Sequence, residues 1–340
     1  MHKEAAIKTK TLTDIGEFGF IKILERENRV FFNKVIKGIG DDCAVIEKDK
    51  EDVFLISTEL FVEDIHFLKQ KIPPYELGIK VVNASLSDIA AMGGRPLYLF
   101  TSISLPSDTE LDYLDTLYKG IKDACLKYKV DIIGGDTSSS VHRTVINITV
   151  IGEMKREEVV YRSGARPEDL IYVTGYLGDS SIGLMLLKDE ISIPEELRKY
   201  FIKAHTLPEP DINIGRLVAS HKYASAMIDI SDGLVADLNH ICESSKVGAE
   251  IFLDKIPVSK QLISIKEKLP SPIYEYALYG GEDYKLIIVI RSEKKCEFES
   301  LVKKNGLVCY LIGKITEEKG IKAVSDKEST KLEIRGYVHF

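Results

Sequence analysis

Acidic residues recur beside glycine, or at the close of an apolar run, in five separate stretches of this 340-residue chain: GIGDD (38–42), STE (57–59), LSD (86–88), GGD (134–136) and DISDG (229–233). Carboxylates in such settings suit hard divalent cations, and backbone N–H groups opened up by glycine suit phosphate. Two carboxylates about 4 Å apart repel by roughly 4 kcal/mol at an effective dielectric near 20. If the five stretches converge, a cation must sit among them or some must take up protons. Taken one at a time, each acid is better read as a turn residue or helix cap.

In GIGDD the glycines permit positive φ, so Asp41 and Asp42 can face a ligand from a tight turn, Asp42 being the better metal candidate and a hairpin turn the alternative. Ser57, Thr58 and Glu59 follow a strand and place two hydroxyls and a carboxylate at a sheet edge. Magnesium keeps several waters, so a few carboxylates and phosphate oxygens suffice to hold it. His66, in VEDIHF, can donate to a phosphate or serve as a structural imidazole. Gly134, Gly135 and Asp136 run into TSSS, where backbone N–H groups can cradle phosphate. In DISDG, a capping role for Ser231 or Asp232 explains everything except Asp229. Glu282, in GGED (280–283), precedes a strand and joins no apolar pattern, and GGD and GGED invite comparable roles. Arg162, in YRSGAR, is either a bidentate anion contact or a solvated surface arginine. The chain has no GxxxxGK[ST], no GxGxxG and no paired Ser/His/Asp motif. Direct group transfer by positioning and metal electrostatics is the natural chemistry.

These residues need a scaffold of alternating strands and helices. The apolar spacing predicts a short helix over 17–24, a β-rich stretch from about residue 30, a strand over 53–57, and a helix from 75 that stops at Gly93-Gly94 with Asp88 one turn before its end. A strand over 98–105, a helix over 109–128, a short buried strand over 130–133 and a strand over 145–152 follow. Charge is dense over 152–166, which predicts a boundary between residues 1–152, an α/β domain that carries most of the acidic stretches, and residues 153–340, a second α/β domain. Beyond it, strands over 171–174, 225–230 and 285–290 and helices over 180–187 and 234–244 are expected. The fold class is α/β in the broad, α+β sense.

Length fits two domains. A net charge of −7 with no basic stripe argues against a nucleic-acid partner. Five scattered cysteines with no C-x-x-C pair read as reduced thiols. No run approaches a membrane span and the first residues lack a signal-peptide core, so the expected address is the cytoplasm.

In order along the chain, GEFGFI, GIGDDCAV, STELFVEDIHF, VNASLSDIAAMGGRP, IIGGDTSSS, RSGARPEDLIYVTGYLGDS, MIDISDGLVADLNHI, ALYGGEDY and the terminal GYVHF resemble thiamine-monophosphate kinases, of the superfamily that includes aminoimidazole ribonucleotide synthetase. The resemblance implies ATP-dependent phosphorylation of thiamine monophosphate to thiamine diphosphate, the last step in making that cofactor, without a phosphoenzyme. It implies magnesium ligation, with several Mg2+ ions, by Asp42, Ser57, Thr58, Glu59, Asp88, Asp136, Asp229 and Asp232, and leaves a requirement for K+ open. ATP contacts fall on Tyr118, Gly135, Asp136, Arg162 and Ser231, and thiamine contacts on His66, Glu282 and Tyr337. It also implies a homodimer whose N-terminal sheets form a barrel across the two copies. The alternatives are a non-catalytic nucleotide- or thiamine-phosphate-binding relative and another ATP-using enzyme of the superfamily. The chain departs from the family pattern at Glu59, where aspartate is usual, at Asp64, where glycine is usual, and near Leu207 and Asp211, where arginines are expected.

Overall fold

In the computed structural model, which describes residues 11–325, 328–337 and 339, the apolar alternation of the first half folds into a six-stranded mixed sheet. Helix α1 (Leu12–Glu27) leads in and is broken at Gly16 (φ 65°), so its second part begins at Glu17. Strands β1 (Val35–Lys37), β2 (Ala44–Glu47) and β3 (Asp52–Val62) come next, then helix α2 (Pro74–Ala91), strand β4 (Arg95–Leu105), helix α3 (Leu111–Tyr128), and strands β5 (Asp131–Ser139) and β6 (Val145–Lys155). The sheet order is β1-β2-β3-β6-β4-β5, antiparallel except for the β4–β5 pair.

Two strands differ from expectation in ways that matter. The strand predicted to end at residue 57 runs on to Val62, so Ser57, Thr58 and Glu59 lie inside β3 rather than after it. From Ser57 onward β3 pairs with β6 alone, because its β2 partner stops opposite Ile56. The strand predicted over 130–133 as short and buried is instead nine residues long, exposed throughout, and forms the sheet edge as β5. Its apolar Ile132 and Ile133 are the feature that suggested burial; in the single chain both remain exposed.

Helix α2 buries most of its surface because both sides are occupied. It packs on β3, β4 and β6 and crosses α3 at a glycine pair. A Cβ on Gly78 would lie 2.2 Å from the Leu117 carbonyl oxygen, and one on Gly120 would lie 2.1 Å from that of Tyr75. Only glycine at both positions allows so close an approach.

The second half carries strand β7 (Leu170–Val173), helices α4 (Asp179–Leu187), α5 (Glu195–Thr206) and α6 (Ile212–Ser220), strand β8 (Ala224–Asp229), helix α7 (Leu234–Ser245) and strand β9 (Gly248–Phe252). Helices α8 (Lys260–Ser264) and α9 (Ile273–Tyr279), strand β10 (Leu286–Ile290), helix α10 (Lys295–Lys304) and strands β11 (Tyr310–Thr316), β12 (Gly320–Val324) and β13 (Ser329–Lys331) complete it. The second sheet runs β13-β12-β9-β11-β7-β10-β8, and β10, between β7 and β8, is buried along its whole length. The far side of α2 rests on this half: a Cβ on Gly215 of α6 would come 2.3 Å from the Ala90 carbonyl oxygen. One apolar core joins residues of both halves, from Val45 and Leu55 to Met227 and Ile288. Helix α2 is thus clamped between the two sheets, with Asp88 near its C-terminal end.

Candidate active site

Three aspartates from three different elements meet at the end of α2. Asp42 comes from the GIGDD turn before β2, Asp88 from α2, and Asp229 from the last residue of β8; one carboxylate oxygen of each lies within 4.8 Å of the others. Asp42 and Asp229 are buried. Strand alternation sets the neighbours: Val53, Leu55, Ser57 and Glu59 share the β3 face under α2, and the Ser57 hydroxyl donates to Asp88 Oδ2 at 2.5 Å. Arg162 reaches the other side of Asp42, donating to Oδ1 from Nη2 at 2.6 Å and from Nε at 3.2 Å. Its own N–H donates to Asp41.

The remaining oxygens give the cluster the makings of a cation site. Among the described residues, Oδ2 of Asp42 and Oδ2 of Asp229 are buried without a hydrogen-bond partner, which protein interiors rarely tolerate unless something else binds there. Burial, followed in most cases by repulsion from neighbouring acids, raises Asp229, Glu59, Asp88, Asp232 and Asp41. Asp229 is pushed up to about 7 by burial and by Asp42, and Glu59 to about 7 by burial and by Asp232 and Asp42. Asp88 rises well above the ordinary carboxylate range through burial and the charges of Glu59 and Asp229. Asp232 goes to about 6 through burial and Glu17, and Asp41 to about 6 through burial and Asp42. A divalent ion would reverse the cause of these shifts by supplying the missing positive charge. The donor set, all oxygen and mostly carboxylate, suits magnesium.

The DISDG turn is organised differently from the sequence expectation. Neither Ser231 nor Asp232 caps α7; the N-cap is Gly233 (φ 122°). Asp237, one turn into the helix, bends back so that its Oδ2 accepts the N–H groups of Ser231, Asp232 and Gly233, each at 3.1 Å. Both side chains that could have capped are thereby left for the site. The GGED turn leans on the same loop: the Glu282 N–H donates to the Ser231 carbonyl at 2.8 Å and the Tyr284 N–H to that of Ile230 at 2.9 Å. Glu282 itself takes a left-handed conformation (φ 61°). GGD and GGED therefore play unlike roles, one within an edge strand and one in a buttressed turn.

Beside the acids lies a group of rings. His66 meets His339 with centroids 5.0 Å apart, and His339 meets Tyr337 at 4.9 Å. The Tyr337 N–H donates to the Asp232 carbonyl, which ties the C-terminal segment to the DISDG loop. His66 Nδ1 accepts the Val62 N–H at 2.9 Å, so in the neutral ring Nε2 carries the proton. Burial and His339 lower its pKa, favouring that neutral form. The charge of Glu282 reaches His66, Tyr337 and Asp232, so it stands between rings and carboxylates.

Four of the expected residues stand elsewhere. The Thr58 hydroxyl, on the opposite face of β3, is engaged with Thr149 and Asn147. Gly135 and Asp136 lie on the exposed edge strand β5, where Asp136 accepts only the neighbouring Thr137 N–H. Tyr118 is half-buried on α3 and packs against the core. Sequence reasoning missed Asp237 and also missed Lys80 and His205, both buried against Glu282. Lys80 had left a signal, since it occupies the apolar stripe of α2 between Leu77 and Ala84.

The chain is similar along most of its length to known proteins. Residues 40–154 match the AIR synthase related protein N-terminal domain and residues 166–326 the corresponding C-terminal domain. A thiamine-monophosphate kinase of Buchnera aphidicola from Acyrthosiphon pisum is 41% identical over 95% of this chain and 98% of its own length. That of Bacillus subtilis is 36% identical over 92% and 95% respectively. A solved structure, AaThiL complexed with AMPPCP and TMP, superposes with a TM-score of 0.85 at 37% identity, covering 98% of this chain and 100% of the other. With its two-domain α/β fold of mixed sheets and its convergent carboxylates, this chain belongs to the thiamine-monophosphate kinase family.

Proposed function

We propose that this protein is an ATP-dependent thiamine-monophosphate kinase that passes the γ-phosphoryl group of ATP directly to the phosphate of thiamine monophosphate, completing the synthesis of thiamine diphosphate. The observation that carries the reading is the convergence of Asp42, Asp88 and Asp229 with two buried, unpartnered oxygens, in a chain similar along its length to kinases of that name.

Asp42, Asp88, Asp229, Glu59 and Asp232 would hold magnesium, with the Ser57 hydroxyl beside them, and magnesium when bound would neutralise the phosphate charge that builds up in transfer. The chain's own groups do the rest. Arg162 has a planar fork already aimed at the acids and is the residue to bind a nucleotide phosphate. Ser231, freed from capping by Asp237, borders the same space. His66, protonated at Nε2, can donate to the acceptor phosphate without adding charge. Tyr337, with His339, supplies aromatic surface for a cationic ring, and Glu282 an opposing carboxylate. Direct transfer is the reading the sequence supports, since it carries no paired Ser/His/Asp motif.

Two further readings extend this one. The uncovered edge strand β5, with Ile132 and Ile133 exposed, supports a homodimer joined there, its two N-terminal sheets closing into a barrel. Gly135, Asp136 and Tyr118 would complete the nucleotide site in that assembly, Thr58 would ligate through its carbonyl, and K+ would be an accessory ion. Among the described residues no helix is long and apolar enough to cross a membrane, and a cytoplasmic address suits a cofactor kinase. Purified protein incubated with ATP, magnesium and thiamine monophosphate should form ADP and thiamine diphosphate in equal amounts. Binding of both substrates without either product would point to a non-catalytic relative and reject the kinase.

A further inference from the structure

Helix α2 is fastened to the α5 region by a row of polar contacts along one stripe. Glu76 accepts the Thr206 hydroxyl at 2.5 Å, Lys80 meets His205 Nε2 at 2.9 Å, and Asn83 donates to the Pro208 carbonyl at 2.6 Å. The outer two contacts close on themselves. The middle one does not: Lys80 also reaches Glu282, 3.1 Å from Oε1 and 3.2 Å from Oε2, and His205 Nδ1 lies 3.4 Å from Oε2. Lys80 is 1% exposed and His205 2%, whereas the Glu282 side chain is 26% exposed and its charge acts on His66 and Tyr337.

The chemistry of the trio is constrained. An ammonium group has no lone pair, so Lys80 donates to His205 Nε2 and the imidazole proton resides on Nδ1, shared between Ser180 Oγ at 3.1 Å and Glu282. Burial, with Lys80 beside it, pushes His205 down to about 3, so it is a neutral relay. Burial is the largest influence on Glu282 and works against its ionisation, but Lys80 and the two imidazoles, His205 and His66, together hold the carboxyl below its ordinary range. A lysine buried as deeply as Lys80 costs several kcal/mol to desolvate, and is kept only when its carboxylate partner repays that or a task requires it. The left-handed backbone of Glu282 is a second cost at the same residue.

We infer that Lys80 and His205 are positioning residues that hold Glu282 ionised and aimed into the ring-lined space, so that the pocket selects a cationic, N–H-donating heteroaromatic ring. This rests on the proposed kinase function and goes beyond it by assigning acceptor selectivity to two residues that themselves touch no substrate.

The test compares steady-state kinetics and calorimetric binding of wild type, Lys80→Met, His205→Gln, Glu282→Gln and the double variant Lys80→Met/Glu282→Gln. Lys80→Met should raise KM for thiamine monophosphate at least about tenfold, the scale of one charge-assisted hydrogen bond, while KM for ATP stays put. Added to Glu282→Gln, it should cost nothing more in that KM, because its effect runs through the carboxylate. Glu76→Gln, which cuts the same stripe without touching Glu282, should lower the melting temperature but leave both KM values alone. If Lys80→Met fails to fold, His205→Gln carries the test with the same expected split. Equal rises in both KM values, or full additivity with Glu282→Gln, would assign Lys80 a purely structural role and overturn the inference. Wild type that neither binds nor phosphorylates thiamine monophosphate would sink the kinase reading itself, and this inference with it.

Discussion

Glu59 shows how far one side chain can be read from sequence. Its type and place among the acids are legible, and so is its departure from the aspartate expected in relatives; its surroundings are not, because they depend on Asp232 and Glu17 from distant parts of the chain. The extra methylene displaces the carboxylate within a cluster already crowded with charge. Glu59→Asp should lower the magnesium concentration for half-maximal activity, as read from a magnesium titration; an unchanged midpoint would show that the longer side chain is accommodated. Asp88→Asn, nearly isosteric, should lower turnover by on the order of a hundredfold or more while the circular dichroism spectrum is retained. The same change relieves repulsion, so the metal-free protein should melt no lower than wild type. A pH prediction has a definite sign. Glu59 and Asp229 are raised to about 7, and Asp232 and Asp41 to about 6, so the metal-free fold is favoured at low pH. It should lose stability progressively as pH rises from about 4, where the unfolded carboxyls ionise, to about 7. Magnesium should abolish that loss and release protons on binding near pH 6.5, measurable by calorimetry in buffers of different ionisation enthalpy.

At the scale of elements, periodicity located α2, α4, α7 and most strands to within a few residues, because each has a face that must be buried. It failed where burial is decided by other elements. The residues of β5 read as a buried strand because they are apolar, yet they lie at an edge, and β3 outruns its apolar stretch because β6 pairs with it to the end. The turn before α7 is the more instructive case. Its sequence offers two good caps, and the chain uses neither, because Asp237 takes all three N–H groups. Asp237→Ala should cost about 1–3 kcal/mol in chemical denaturation and blunt substrate binding through Ser231 and Asp232, and Asp237→Asn, which keeps an acceptor oxygen, should cost less. Asp64 holds φ 65°, which explains why glycine suits that position, and its carboxylate faces Arg143 at 3.4 Å. Asp64→Gly relieves the backbone and loses an exposed ion pair, two effects of about 1 kcal/mol or less with opposite sign, so stability should hardly move.

For the whole molecule, the docking of the two sheets on α2 is what sequence conceals. Gly78, Gly120 and Gly215 read as unremarkable glycines, yet each marks a place where a single methyl group would collide with a backbone carbonyl. The outer edge is the other global feature. Ile133→Lys, on exposed β5, should shift the protein to a monomer in sedimentation if copies join there; an unchanged mass would place the interface elsewhere.

The three aspartates also stand at 42, 88 and 229 in the chain, so their meeting depends on contacts across almost two hundred positions. Contacts of that separation form late on the way to the native state. A cation that needs all three would recognise only the finished product. Magnesium should therefore leave the rate of refolding nearly untouched and slow unfolding instead, lengthening the lifetime of the native molecule rather than hastening its birth.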